Sequence, residues 1–473
     1  MAWETVIGLE VHVQLRTRTK MFCGCRTTFG DPPNTNVCPT CLGLPGALPV
    51  PNAEAVRLGV RAALALGATV NQTSVFARKN YFYPDLPKGY QISQFDQPLA
   101  TGGRVGLDAP DRGRIDVGIT RLHLEEDAGK SIHDRFPGKT AVDLNRAGTP
   151  LAEIVSEPDL RSPEEARAYL SALRQILVYA GVSDCSMEQG SLRVDANISV
   201  RPVGDSRLGT KTEVKNMNSF ANVERALEAE RARQIALVEA GERVAQVTLL
   251  FNATTGQVKP IRSKEESHDY RYFPDPDLPP LELPARWVQE QRNALPELPE
   301  ARRTRLEREL GLSPYDARVL TGEAALADYF ESAVAAGVDP KTAANWVMGD
   351  VMASFNETGV FPVPAAGLAA LIGLVEEGVV SHQAAKRVYA ELVTTPGDTP
   401  KAAAERLGLI QVRDESALAA WVTEVLAAHP AEVERYRAGE TKLMAFFVGQ
   451  VMKRSKGKAD PKGVQPVLRE KLG

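Results

Sequence analysis

The chain has 473 residues, of which 43% are hydrophobic and 25% charged, so it is long enough for about three globular domains. Its formal net charge is only −4, which excludes a protein that binds nucleic acid nonspecifically over its whole surface. No apolar run reaches the length of a membrane span, and the N-terminus opens into a strand pattern without a targeting segment. We therefore expect a cytoplasmic protein that does not contact membranes.

The first predicted strand covers residues 5–15 and alternates apolar with polar side chains. Because neighbouring residues of a strand point to opposite faces, its apolar residues can enter a core while Glu10 and His12 share the other face. Two such residues lie about 7 Å apart, close enough to reach one metal ion. For a single strand, a solvent-exposed polar face is the ordinary alternative.

The same alternation recurs in three later stretches, residues 119–127, 190–201 and 211–215. One sheet built from these strands would have a broad polar face, which we interpret as the floor of an active site rather than as scattered solubilising charge. The polar sides comprise Arg121, His123 and Glu125, then Arg193, Asp195 and Asn197, and finally Lys211, Glu213 and Lys215.

Four of the five cysteines lie close together in the sequence, which favours a structural zinc site. Short cysteine pairs separated by a loop are typical of a tetrahedral zinc site, and a redox or disulfide pair is the alternative. A site closed by four thiolates has no open coordination position, so we assign it to folding and not to catalysis. The predicted zinc ligands are Cys23, Cys25, Cys38 and Cys41, whereas Cys185 stands alone and is expected to be buried.

Three helices are predicted within the first 290 residues, at 52–68, from Ser162 to Gly181, and at 219–240. The second has the strongest start, because Ser162 and Glu165 form a capping box around a proline at the first helical position. These helices can cover the apolar side of the sheet and leave its polar side open. We therefore predict an α+β fold whose N-terminal part is a mostly antiparallel sheet cradle with helices on one face.

After a proline-rich boundary near residue 290 the pattern becomes helical, and a second boundary follows near 408. We predict a cradle domain at 1–293 with a zinc knuckle at 23–41, an all-α domain at 294–408, and a small helical tail domain at 409–473. Residues 441–473 carry eight Lys or Arg against two acidic residues, which favours a local contact with a polyanion. A solvent-exposed helix end is the alternative. The basic candidates are Lys453, Arg454, Lys456 and Lys458.

Two aromatic, proline-rich stretches, residues 81–87 and 272–279, resemble each other. They could be two packed turns, or two stiff loops that wall a substrate cleft, since loops on a rigid scaffold commonly carry function.

Carboxylates with an imidazole on one face are suited to Mg²⁺, which binds oxygen ligands beside phosphate groups. Nearby cations could pair phosphate oxygens, and Asp195 and Asn197 could hold a second metal or a ribose. This pattern favours ATP-type phosphate chemistry on an antiparallel sheet, with a binding-only surface as the alternative. The metal and catalytic candidates are Glu10, His12, Glu125 and Glu153. The phosphate candidates are Lys79, Lys88, Arg193, Lys211 and Lys215.

The sequence resembles the B subunits of the aspartyl/glutamyl-tRNA amidotransferases along essentially its whole length. Such long motifs are far more specific than a short pattern, and the continuous 473-residue layout argues against the archaeal relative, which carries an inserted domain. The motifs that carry the resemblance are residues 4–15, 79–94, 122–130, 190–199, 269–277, 448–453 and 457–461.

The resemblance implies a carbon–nitrogen ligase with glutamine as amido-N-donor. Such a protein uses ATP to phosphorylate the side-chain carboxylate of Glu-tRNA(Gln) or Asp-tRNA(Asn), and ammonia then displaces phosphate. It further implies a heterotrimer with an amidase partner that releases the ammonia and a small third partner, misacylated tRNA bound by the tail, and structural zinc. It also implies a Mg²⁺ site at Glu10, His12, Glu125 and Glu153. A tRNA-binding scaffold without chemistry of its own is the alternative, and the sequence leaves open which of the two misacylated tRNAs is used.

Overall fold

The computed structural model describes residues 2–263, 270–411, 415–455 and 459–473. They form two compact units, Met1–Pro299 and Glu300–Gly473. None of the helices in these ranges combines the length and the apolar character that a membrane crossing requires.

The first unit is built on one large mixed sheet, with a separate β9–β10 hairpin and a short β3–β17 pair. The pairs within the large sheet are antiparallel, except that β13 and β14 run parallel. The strands are β1 (Trp3–Gln14), β2 (Thr69–Val70), β3 (Thr73–Ser74), β4 (Ala77–Asn80), β5 (Tyr90–Ser93), β6 (Ala100–Thr101), β7 (Arg104–Ala109), β8 (Gly113–Glu126), β9 (Lys130–Phe136), β10 (Lys139–Asp143), β11 (Pro150–Ser156), β12 (Leu192–Pro202), β13 (Thr212–Lys215), β14 (Val247–Asn252), β15 (Gln257–Ser263), β16 (Phe273–Pro274) and β17 (Leu281–Glu282).

The four predicted polar-faced strands belong to this one sheet, where β13, β12, β1, β11 and β8 lie side by side. In β1 the side chains of Leu9, Val11 and Val13 are buried, whereas Glu10 and His12 are partly exposed. The alternation in the sequence thus produces the expected apolar and polar faces.

Helices cover the apolar side of the sheet. They are α1 (Ala53–Ala65), α2 (Pro163–Tyr179) and α3 (Phe220–Glu239), and α4 (Ala285–Asn293) packs on α1. Each of the first three begins at a polar residue whose side chain accepts backbone N–H bonds, namely Asn52, Ser162 and Ser219. Leu170 and Leu173 of α2 join Leu9 and Val11 in one hydrophobic core, so the sheet and the helices are stabilised together.

The regular elements of the second unit, among its described residues, are all helices. Its helices are α5 (Pro299–Leu310), α6 (Pro314–Leu320), α7 (Ala324–Ala335), α8 (Pro340–Trp346), a π-helical turn (Val347–Val351), α9 (Met352–Thr358), α10 (Ala365–Glu376), α11 (His382–Thr394), α12 (Pro400–Arg406), α13 (Glu415–Ala428), α14 (Pro430–Arg437), α15 (Leu443–Arg454) and α16 (Pro461–Leu472).

Two separate hydrophobic clusters hold this unit together. One runs from Leu306 to Leu409 in sequence, and the other from Leu418 to Leu472. The α+β class is confirmed, with a mixed sheet followed by helices. The division into three domains at residues 293 and 408 stays a prediction.

Candidate active site

The register of the sheet sets four polar residues in one row across four strands. His12 on β1 lies opposite Arg193 on β12 and opposite Glu153 on β11, and Glu153 in turn lies opposite His123 on β8. Directly opposed residues of an antiparallel pair have Cβ atoms about 5 Å apart, so these side chains meet above the polar face.

Three of these strands bring His12, Glu125 and Glu153 into one cluster. The Nε2 atom of His12 lies 3.5 Å from Glu125 Oε1 and 3.5 Å from Glu153 Oε2. One ligand atom of each residue lies within 4.8 Å of the others, which is close enough to share one metal ion. Two carboxylate oxygens and a ring nitrogen form a donor set that fits a hard divalent cation such as Mg²⁺.

The surroundings of the cluster shift the pKa values of its two carboxyl groups in opposite directions. Burial raises the pKa of Glu125, and the charge of Glu153 raises it further. Burial also acts to raise the pKa of Glu153, but His123, His12 and Lys79 outweigh it and hold the pKa below its usual range. Burial lowers the pKa of His12. The lowered pKa of His12 favours the neutral imidazole, and the lowered pKa of Glu153 favours the carboxylate. Both forms have lone pairs that a cation can bind.

Glu10, the fourth predicted ligand, lies outside this three-residue group. Its Oε1 accepts a hydrogen bond from Asn197 Nδ2 at 3.0 Å. Burial raises its pKa, and the charges of Glu153, Glu213 and Asp195 raise it further. Glu10 therefore lies within the electrostatic influence of the cluster, on β1 and two residues before His12.

His123 is a site residue that the sequence reasoning did not select. Its Nε2 lies 3.1 Å from Glu153 Oε2 and 4.0 Å from Glu125 Oε2. Its Nδ1 is buried and makes no hydrogen bond with any described group. The strand alternation had placed His123 on the polar face, and only the pairing of β8 with β11 shows that it reaches Glu153.

The predicted phosphate-binding cations do not all lie beside the carboxylate cluster. The charge of Lys79 lowers the pKa of both Glu125 and Glu153, so it lies beside the cluster. Arg193 Nη2 donates to Asp127 at 2.9 Å, and Lys215 Nζ donates to Asp195 at 2.6 Å.

Lys88 lies elsewhere, because it binds Glu126, whose side chain points away from that of Glu125. Lys211 lines a cavity of about 280 Å³ together with Glu10 and Asn197. The structure thus brings Lys79 to the carboxylate cluster and places Lys88 away from it.

The four predicted zinc ligands form a second cluster. The Sγ atoms of the four cysteines all lie within 4.8 Å of one another, as one tetrahedral zinc ion requires. A hydrogen bond from Cys23 lowers the pKa of Cys41 to about 4, and Lys20 contributes to that lowering. The Nζ atom of Lys20, which is fully buried, lies 3.6 Å from Cys41 Sγ. A thiolate beside a buried cation fits metal binding better than it fits an inert thiol pair.

Hydrogen bonds connect the loop between the two cysteine pairs to the segment that precedes β11. Asn145 Oδ1 accepts a hydrogen bond from Asn36 N at 2.8 Å, and Asn34 Oδ1 accepts one from Leu144 N at 2.8 Å. Residues 144–145 lie in the connection between β10 and β11, five residues before the start of β11, which carries Glu153. A metal bound by the cysteines would therefore stabilise the edge of the active site.

In the tail, Lys453 is exposed at the end of α15, and Arg454 Nε donates to Glu424 Oε2 at 2.7 Å. The other two predicted tRNA-binding residues, Lys456 and Lys458, lie outside the described residues.

Comparison with known proteins identifies the family of this chain. Residues 5–289 match the family described as the GatB/GatE catalytic domain, and residues 328–472 match the family described as the GatB domain. The chain belongs to the GatB family. The carboxylate–histidine cluster, on β1, β8 and β11, lies wholly within the segment that matches the GatB/GatE catalytic domain.

Full-length relatives of this chain share one name, that of an amidotransferase B subunit. The aspartyl/glutamyl-tRNA(Asn/Gln) amidotransferase B subunit of Oleidesulfovibrio alaskensis is 55% identical, with 100% of this chain and 99% of the relative covered. Proteins of that name from Geobacter sulfurreducens and Alkalilimnicola ehrlichii are 53% and 51% identical, each with both chains covered in full. The resemblance noted in the sequence is confirmed.

Proposed function

We propose that this chain is the component of a tRNA-dependent amidotransferase that activates the side-chain carboxylate of Glu-tRNA(Gln), Asp-tRNA(Asn) or both. The observation that carries the proposal is the cluster of His12, Glu125 and Glu153 on the polar face, in a chain 55% identical to a protein named as an amidotransferase B subunit. The chain would thus act as a carbon–nitrogen ligase with glutamine as the source of nitrogen.

The amidation of a carboxylate explains why such a site needs residues that bind phosphate. A free carboxylate is a poor acyl donor, because an oxide ion is a poor leaving group. Transfer of the γ-phosphoryl group of ATP to a carboxylate oxygen gives an acyl phosphate and ADP. Ammonia then attacks the carbonyl carbon, the carbon–oxygen bond to phosphate breaks, and an amide and inorganic phosphate are formed.

We assign a different role in this reaction to each of the neighbouring residues. His12, Glu125 and Glu153 would hold Mg²⁺, with Glu10 beside them, and the ion when bound would neutralise phosphate oxygens. Lys79 would pair a phosphate oxygen at the edge of the cluster, while Asp195 and Asn197 would orient the nucleotide. The protein mainly positions the two reactants and compensates their negative charge, as phosphoryl transfer requires.

Membership of the GatB family implies partners, because the relatives are named as one component of a larger enzyme. We propose that an amidase partner supplies ammonia from glutamine, that a small third partner completes a heterotrimer, and that the four cysteines hold a structural zinc. Deep burial of Lys20 beside Cys41 supports the zinc assignment, since a buried ammonium is stabilised by neighbouring anionic sulfur.

The substitutions His12→Ala and Glu153→Gln test the proposal in the reconstituted complex. We expect each to lower amide formation on misacylated tRNA about 100-fold or more, because each removes a ligand of the ion that would compensate the phosphate charge. ATP consumption that depends on misacylated tRNA should fall in parallel, whereas release of ammonia from glutamine by the partner should persist.

Glu157→Gln is the matched control, since Glu157 directly follows β11 but is exposed and accepts a hydrogen bond from Thr120 Oγ1. It should amidate at the wild-type rate. Near-normal amidation by the two cluster variants would instead favour the alternative, a tRNA-binding scaffold without chemistry of its own.

A further inference from the structure

Five aromatic rings from three segments of the first unit form a continuous row. The centroid separations between successive rings are 5.9, 6.1, 6.0 and 4.2 Å, and the last two rings are stacked with an interplanar angle of 10°. The two aromatic loops of the sequence therefore meet in space. We call this feature the aromatic row, and its members in order are Tyr83, Tyr81, Tyr270, Tyr272 and Phe95.

The backbone that carries the row is fixed by hydrogen bonds. Asn80 N donates to Tyr270 O at 2.9 Å, and Asn80 Nδ2 donates to Arg271 O at 2.8 Å. Arg271, between two rings of the row, has a φ of 43°, in the left-handed region that non-glycine residues rarely adopt. Such strain persists only where the surrounding structure enforces it, and it is concentrated at functional sites.

An ion-pair clamp holds the second loop against the strand before the first. Arg78 Nε donates to Asp275 at 2.8 Å, and its Nη2 donates to Asp277 at 2.9 Å. β16 also pairs with β4, where Phe273 lies opposite Arg78. The row is thus preorganised rather than assembled from loose loops.

The row adjoins the carboxylate cluster and opens to solvent at both ends. Lys79 Nζ lies 4.8 Å from the centre of the Tyr270 ring. Ser93, two residues before Phe95, lies opposite Glu125 in the β5–β8 pair, and its Oγ donates to Glu125 Oε2 at 3.4 Å. The terminal rings of the row, Tyr83 and Phe95, are 56% and 46% exposed.

We propose that the aromatic row binds the unpaired 3′-terminal nucleotides of the tRNA by base stacking, so that the attached amino acid reaches the cluster. This inference rests on the proposed function and names the part of its substrate that the row recognises. Rows of aromatic side chains flanked by a cation are a common way to bind single-stranded nucleic acid, because every base has a flat face. Five successive rings, of which the first and the last are exposed, offer more aromatic surface than the single adenine of ATP would cover.

The test measures affinity of the complete enzyme complex for two uncharged tRNAs, one intact and one lacking its 3′-terminal nucleotides. The wild type should prefer the intact tRNA. Phe95→Ala and Tyr83→Ala should each weaken binding of intact tRNA about fivefold or more, the value of one stacked base. Both should bind the truncated tRNA as the wild type does and keep the wild-type KM for ATP. Phe95→Tyr retains a ring and should restore the preference.

Phe82→Ala is the matched control. Phe82 lies on the same loop and is 87% exposed, but its ring is not part of the row. An unchanged preference for intact tRNA in both row variants would overturn the inference, and so would an equal loss in Phe82→Ala. A raised KM for ATP with unchanged tRNA binding would also overturn it, because the row would then bind the nucleotide. Amide formation by the wild type, and its loss in Glu153→Gln, do not depend on any of these outcomes, so the proposed function is tested separately.

Discussion

Glu165 shows how a single buried carboxylate fixes the start of a helix. Its Oε1 accepts a hydrogen bond from Arg112 Nε at 2.7 Å, and its Oε2 accepts one from Arg161 N at 2.7 Å. The Ser162 hydroxyl accepts from Glu165 N, which completes the cap of α2. Burial acts to raise the pKa of Glu165, but Arg112 and the Arg161 amide outweigh it, so the pKa is lowered on folding.

We expect Glu165→Gln to lower the free energy of unfolding by about 1.5 kcal/mol at pH 7, the lower end of the range for hydrogen bonds to a charged group, because Arg112 is 38% exposed. Because folding lowers this pKa, the ionised form stabilises the protein above the unfolded-state pKa of about 4.3. That stability is lost as the pH falls through the folded-state value. Urea denaturation of wild type and variant should therefore show a gap at pH 7 that closes in acid.

The adjacent Glu164→Gln is the control for this experiment, because Glu164 is exposed in the same helical turn. It should change the free energy of unfolding far less than Glu165→Gln. Equal free energies for wild type and Glu165→Gln at pH 7 would contradict the assigned role of the carboxylate.

At the scale of the secondary-structure element, the zinc knuckle gives a direct prediction. Metal analysis of the purified protein should find one zinc per chain, since four sulfur atoms lie within bonding reach of one ion. Cys41→Ser should lose the metal and leave the remaining thiols reactive, whereas Cys185→Ser, a buried cysteine outside the cluster, should retain it. Absence of zinc from wild-type protein with freely reactive thiols would exclude the assignment.

The sequence predicted individual elements well, because their signals are local. α1, α2 and α3 begin directly after Asn52, Ser162 and Ser219, the positions at which the three helices were predicted to start. The alternation in β1 likewise predicted which residues are buried.

The sequence could not predict which residues meet across strands. Alternation gives the face of a residue but not its neighbour, since register depends on pairing between distant segments. His12 lies opposite Glu153, which is far along the chain, and β11 lies between β1 and β8. For the same reason the sequence did not indicate that His123 would join the cluster, or that Lys88 would bind Glu126.

At the scale of the whole molecule, charge and core are distributed unevenly along the chain. The basic stretch at 441–473 lies within the segment held by the last hydrophobic cluster, which begins at Leu418. The preceding cluster ends at Leu409, so a chain that ends at Gln411 would keep that cluster whole. The carboxylate cluster belongs to the first unit. These divisions make it possible to remove the tail without cutting another core.

We expect a complex whose chain ends at Gln411 to lose affinity for tRNA and to keep the wild-type KM for ATP. Contacts of Lys and Arg with phosphate release counterions, so affinity falls with salt more steeply when more contacts are made. The truncated complex should therefore show a raised KM for tRNA and a shallower salt dependence. In the full-length chain, Lys453→Ala should reduce the logarithmic salt slope by about one. Glu424→Gln should not reduce the slope, since it removes no cation and only releases Arg454 from its ion pair. If the truncated complex bound tRNA as tightly as the full one across the salt series, the tail would serve some purpose other than tRNA binding.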